Sequence, residues 1–189
     1  MLELDLAVFH LVNADATTAP AVLTAARWIS QQLPIAAGGA LLGGLFFGNP
    51  GQRRAIAQAL VSMAVAWISV QWLRHAVPAQ RPAQLGMGVQ WIEHAARAGF
   101  PSMHAAAAAA LAASLARRPV AGLGALAVAS AALMMWSRVC LGVHFPSDVV
   151  AGLLTGMLAA AAVHGAIRAV GRLPGVQSAM QRQAQARAH

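Results

Sequence analysis

The chain has 189 residues, 59% of them hydrophobic and 10% charged, with a mean hydropathy of +0.61. Soluble domains run nearer ~25% charged, so this composition excludes an ordinary soluble enzyme and indicates an integral membrane protein of one domain. All 13 basic residues are arginine; they sit mainly at the ends of apolar runs with no interleaved aromatic surface, so the net charge of +8 does not indicate a nucleic-acid partner.

The opening residues Met1-Leu2-Glu3-Leu4-Asp5 lack the positive start of a cleavable signal peptide. Leu2, Leu6, Phe9 and Val12 recur at helical spacing, but Asn13, Asp15 and Pro20 then interrupt, and the segment is too polar to span. Residues 1–28 are expected to lie in the interface as helical pieces, with Trp28 at the headgroup level. Leu33–Phe47 is the first convincing apolar run, closed by the turn signal Gly48-Asn49-Pro50-Gly51. Ala55–Leu73 is the second, and a polar loop from Arg74 to Phe100 follows. Ser102–Ala116 is an alanine-rich third run whose small side chains permit close helix packing. Val120–Trp136 is the fourth and Val149 to about Ala169 the fifth.

The expected fold is therefore an all-α polytopic membrane helix bundle. It has five spans, or six if the N-terminal segment also crosses. The membrane domain covers residues 29–170, and residues 171–189 form a Gln-, Ala- and Arg-rich cytoplasmic tail. Arg53, Arg54, Arg117, Arg118, Arg168, Arg172, Arg182 and Arg187 all fall on one side, which the positive-inside rule makes the cytoplasm. The loops 74–100 and 137–147 and the N-terminus then share the other side.

Three motifs gather there. Arg74-x6-Arg81-Pro82 supplies two cations suited to phosphate, although interface arginines are common by themselves. Phe100-Pro101-Ser102-Met103-His104 opens a helix, where Ser102 and the first-turn N–H groups suit an anion and His104 suits protonation of a leaving oxygen. Ser137-Arg138-x5-His144-x3-Asp148 combines a planar cation with a His–Asp pair one helical turn apart. A carboxylate beside an imidazole fixes its tautomer and stabilises its charged form, as a nucleophilic histidine requires. Each motif has a bland reading as a cap or a polar loop. Their convergence at helix ends on one face does not.

These residues resemble the three signature motifs of the type 2 phosphatidic acid phosphatase superfamily, over about Leu2 to Ala169. The Leu2–Asn13 pattern, and Phe100-Pro101-Ser102-x-His104 after His94-Ala95-Ala96, look closer to the bacitracin-resistance type of undecaprenyl pyrophosphate phosphatase. The first motif departs from the family by opening with Arg74 where Lys is usual. The second has Met103 where Gly or Asp is usual, a change that keeps the backbone N–H but adds bulk.

The resemblance implies a metal-independent phosphoryl transfer without a cofactor. His144 is the nucleophile, Asp148 its orienting partner and His104 the acid and base. Arg74, Arg81, Ser102, the Met103 N–H and Arg138 would hold the phosphate. Undecaprenyl pyrophosphate is the implied substrate; phosphatidic acid, phosphatidylglycerophosphate and lipid A phosphates are alternatives, as is transfer to another lipid. A non-enzymatic anion-binding membrane protein is the reading from another class. Cys140, the single cysteine, is expected to pack rather than react, and Glu93 and His94 are candidates for the entrance. The sequence sets no oligomeric state.

Overall fold

The computed structural model describes residues 3–93, 98–117 and 122–174. His94 of the expected entrance, Arg118, the start of the fourth run at Val120, and the tail with Arg182 and Arg187 lie outside the described residues. Within them the chain is all helical: α1 (Glu3–Val12), α2 (Pro20–Phe47), α3 (Pro50–Ala76), a 3₁₀ turn (Pro82–Leu85), α4 (Met103–Leu115), α5 (Leu123–Cys140) and α6 (Pro146–Gly171). Three of these, α3, α5 and α6, are long and apolar enough to cross a membrane.

The largest difference from expectation is α2. Residues 20–28, expected in the interfacial segment, are instead the first turns of a 28-residue helix, so the division expected after residue 28 falls inside α2. Pro20 starts this helix where its missing N–H costs nothing. Pro34 sits in the interior, where lipid-facing helices tolerate proline because neighbours satisfy the freed carbonyl groups. The polar face that made this stretch look like a surface segment has specific partners: Arg27 stacks over Trp91, and Ser30 meets Arg138 of α5. At the far end, Asn49 and Gln52 form a reciprocal capping box that starts α3.

α4 falls within the expected alanine-rich run Ser102–Ala116. It has 13 residues, about 20 Å of helix, shorter than the ~30 Å hydrocarbon core. It is the interior post of the bundle, with Ala105, Ala106, Ala109, Ala110 and Ala112 buried and α3, α5 and α6 packed around it. The seam with α6 is set by Gly152 and Gly156, four residues apart on one face. A Cβ at Gly152 would come within 2.5 Å of the Ser102 carbonyl oxygen. One at Gly156 would collide with the Ala106 carbonyl oxygen and lie 2.8 Å from the Ala110 nitrogen.

Backbone cannot retreat as a flexible side chain can, so Gly156→Val is expected to destabilise the bundle by about 1–3 kcal/mol or more. Gly165→Ala, in open space on the same helix, should change little. Thermal unfolding in detergent would test this, and equal melting of the two variants would show that the seam yields.

The helices alternate in direction, so their ends sort into two groups. Arg74 closes α3, Ser102 precedes α4, Arg138 is in the last turn of α5, and Asp148 is in the first turn of α6, all at one end. Arg53, Arg54, Arg117, Arg168 and Arg172 occupy the other end. Ser137 and Arg138, expected in a loop, are helical because α5 continues past Trp136 to Cys140.

Candidate active site

The turn between α5 and α6 holds the first part of the site. Gly142 adopts a left-handed conformation, φ +70°, and a Cβ there would strike the Val89 carbonyl and the Asn13 side chain. Those neighbours stitch three segments together. Asn13 Nδ2 donates to Val89 O at 3.0 Å and to Cys140 O at 3.1 Å, while Val89 N donates to Asn13 Oδ1 at 2.8 Å. Trp91 N donates to Leu141 O and its indole N–H to Ala14 O. Cys140 packs in the same place, beside Ala14, Ala26 and Leu141, as the sequence suggested.

Fixed by this scaffold, His144 is 1% exposed and Asp148 3%. Asp148 Oδ2 accepts the Phe145 N–H at 3.0 Å and stands 3.3 Å from His144 Nδ1. The other ring nitrogen, Nε2, lies 3.2 Å from Nη1 of Arg81. A guanidinium only donates, so Nε2 is the acceptor and carries the lone pair. The ring proton then belongs on Nδ1, facing the carboxylate. The neighbours thus select the tautomer in which Nε2 is nucleophilic.

Arg81 contacts this histidine directly, and Arg74 and Arg138 stand at the same end of the bundle. Arg81, 3% exposed, also donates to Val143 O at 2.8 Å and to Ala98 O at 3.4 Å. Burial, then the nearby Arg74, lowers its pKa to about 10, with Asp148 opposing. Arg81 therefore keeps its charge at neutral pH. Half-buried Arg74 reaches the Pro101 carbonyl at 3.3 Å. Arg138, 2% exposed, gives Nη1 to Ser30 Oγ at 2.5 Å, while its Nε and Nη2 find no acceptor among the described residues.

The start of α4 completes the arrangement. Ser102 N donates to Asp148 O at 2.9 Å, which binds the two helix starts together. Its Oγ is fully buried without a hydrogen-bond partner among the described residues. Met103, His104 and Ala105 begin the helix, where backbone N–H groups have no i−4 carbonyl. At α6, by contrast, the donors are engaged: Phe145 N by Asp148, Ser147 N by Asp5, and Asp148 N by Phe145 O. Buried donors without acceptors are rare. Here they belong to a cation and to a hydroxyl at a helix N-terminus, the donor set that suits a tetrahedral oxyanion.

The structure thus joins Arg81, His144 and Asp148 by direct contacts and ties Arg74 and Ser102 in through the backbone of residues 101 and 148. Met103 packs against the buried cluster of Ala66, Val70, Ala106, Ala110 and Ala159 between α3, α4 and α6, which accommodates its bulk. His104 faces a cleft of about 340 Å³ between α2, α3, α4 and α5. Leu33, Leu41, Leu60, Leu111 and Met134 line that cleft, and His104 is its ionisable group among the described residues. Sequence reasoning missed Asp5, Asn13 and Ser30. Asp5 was visible as one of only five acids, and Asn13 closes the N-terminal pattern; nothing in the sequence singles out Ser30.

Residues 55–172 match the model of the PAP2 superfamily. The chain is 33% identical over 164 residues to a protein of Escherichia coli (strain K12) named "Putative undecaprenyl-diphosphatase YbjG", covering 84% of this chain and 80% of that one. Its fold is similar to that of LpxE of Aquifex aeolicus, with TM-score 0.72, 23% identity, and coverage of 87% of this chain and 96% of the other. It is also similar to the first transmembrane PAP2 type phosphatidylglycerolphosphate phosphatase from Bacillus subtilis, with TM-score 0.67, 22% identity, and coverage of 90% and 87%. With more than half its length matched and that relative covered well beyond two thirds, this helical membrane protein belongs to the PAP2 superfamily of phosphatases.

Proposed function

We propose that the chain hydrolyses undecaprenyl pyrophosphate to undecaprenyl phosphate and inorganic phosphate, at the extracytoplasmic face of a bacterial cytoplasmic membrane. The observation that carries this reading is an imidazole held by a carboxylate at Nδ1, with Nε2 turned to the buried guanidinium of Arg81. An anion-binding protein needs the cations but not the oriented nucleophile.

In the first step the Nε2 lone pair of His144 attacks the terminal phosphorus. A phosphorus–nitrogen bond forms, the bridging phosphorus–oxygen bond breaks, and His104 gives its proton to the departing undecaprenyl phosphate. Water then attacks the phosphohistidine and passes its proton to His104. The phosphorus–nitrogen bond breaks and phosphate leaves. Arg74, Arg81, Arg138, Ser102 and the Met103 N–H stabilise the three equatorial oxygens throughout.

The lipid part of the proposal rests on two supports. One is the name of the 33% identical relative. The other is the apolar cleft that runs to His104, which would lay a hydrocarbon chain beside the acid that protonates its phosphate. The arginines at the opposite end support the orientation. Such an activity would return the carrier lipid of cell-wall synthesis and protect against bacitracin.

Phosphate release by detergent-purified protein in EDTA, from undecaprenyl pyrophosphate beside phosphatidic acid and phosphatidylglycerophosphate, tests the proposal. Undecaprenyl pyrophosphate should lead in kcat/KM by about tenfold or more, ~1.4 kcal/mol of transition-state preference. The same margin for a glycerolipid would reassign the substrate. Absence of release from every lipid would reject the phosphatase reading.

A further inference from the structure

The N-terminal helix lies outside the segment that matches the family model, yet it touches the catalytic turn directly. Asp5 Oδ1 accepts the Ser147 N–H at 2.8 Å, and Asp5 Oδ2 accepts the Ser147 hydroxyl at 2.6 Å. Ser147 is the residue before Asp148, in the first turn of α6. Two of the chain's five acids are therefore placed at one helix start, one holding it from outside and one facing His144. One turn along α1, Phe9 is fully buried and packs on Phe145 at 5.2 Å between ring centroids. A turn further, Asn13 grips the loop at Val89 and the end of α5. One face of α1, with Asn13 just past its end, thus fixes both sides of the His144 turn.

A burial of Asp5 to 8% exposure with both oxygens engaged is more than a solvated helix face requires. It also has an electrostatic effect. A carboxylate at the start of α6 occupies the dipole end that would otherwise attract the substrate phosphate. Phosphate is then left the start of α4, where Ser102 Oγ and the first-turn N–H groups are available. We infer that Asp5 is a positioning residue for the phosphoryl transfer: it locks the first turn of α6, so that Asp148 presents His144 Nε2 in line with a phosphate seated at α4. This inference rests on the phosphatase reading above.

The test compares wild type, Asp5→Ala, Asp5→Asn and Ser147→Ala on whichever lipid phosphate the wild type cleaves, well below each variant's melting temperature. Asp5→Ala should lower kcat about 10–100-fold with KM changed less than threefold, because the reacting geometry loosens while the arginines still bind. Asp5→Asn keeps an acceptor for the backbone N–H and can donate to the serine hydroxyl, so it should recover most of the loss. Ser147→Ala removes one of the two bonds and should fall between. A purely structural Asp5 would lower melting temperature and leave kcat per folded molecule unchanged, which would overturn the inference. So would equal loss in Asp5→Asn and Asp5→Ala when both are folded. A wild type that cleaves no lipid phosphate would remove the phosphatase reading and the role of Asp5 with it, whereas an active wild type matched by Asp5→Ala would remove the role alone.

Discussion

Replacing His144 with alanine is expected to lower kcat by on the order of 10⁴-fold or more while changing lipid binding only a fewfold. The side chain lost is the proposed nucleophile; the three arginines act as donors, Asp148 is turned to the ring nitrogen Nδ1 and the Phe145 N–H, and His104 is assigned the proton transfers. Loss of a nucleophile leaves only what positioning and electrostatic stabilisation supply. The binding partners of the phosphate are all on other residues, so affinity should survive. Single-turnover phosphate release and equilibrium binding of the lipid measure the two terms separately. Parallel loss of both would show that His144 holds the site together rather than reacting in it.

The second large effect concerns Arg138. It is 2% exposed, it bonds Ser30, and two of its nitrogens lack acceptors among the described residues. A buried cation with unmet donors is a burden on the fold, because desolvation is only partly offset. Arg138→Leu should therefore leave the melting temperature unchanged or raise it. The same change should lower kcat/KM by about 10²–10³-fold, the loss that follows removal of an oxyanion donor. Arg138→Lys keeps the charge but not the planar fork, and should recover only part of the activity. A fall in melting temperature that parallels the fall in activity would make Arg138 a packing residue.

Much of the site was legible because its chemistry is in residue types rare for this chain. His144 and Asp148 are spaced one helical turn apart, and the structure pairs them across the first turn of α6. Arg81, Ser102 and Arg138 were marked by charge or by a helix-start pattern. What was not legible acts across long sequence separations: Asn13 bonds residues 76 and 127 positions away, and Ser30 meets Arg138 at a separation of 108. A serine beside two glutamines reads as a surface until the partner arginine is seen. The same polarity hid the start of α2, since hydropathy penalises Arg27, Ser30, Gln31 and Gln32 without knowing which of them have partners. α4 was legible by contrast: alanine is the strongest helix former, and the run Ser102–Ala116 contains the helix Met103–Leu115 with its small side chains buried.

The bond between Asp5 and Ser147 joins positions 142 apart. During synthesis at ~5–20 residues/s, α1 emerges roughly 7–30 s before the residue it clamps. For that interval Phe9 has no Phe145 to cover it. Assembly is thereby ordered: only a chain read through to α6 can bring Asp5 to Ser147 and close the His144 turn.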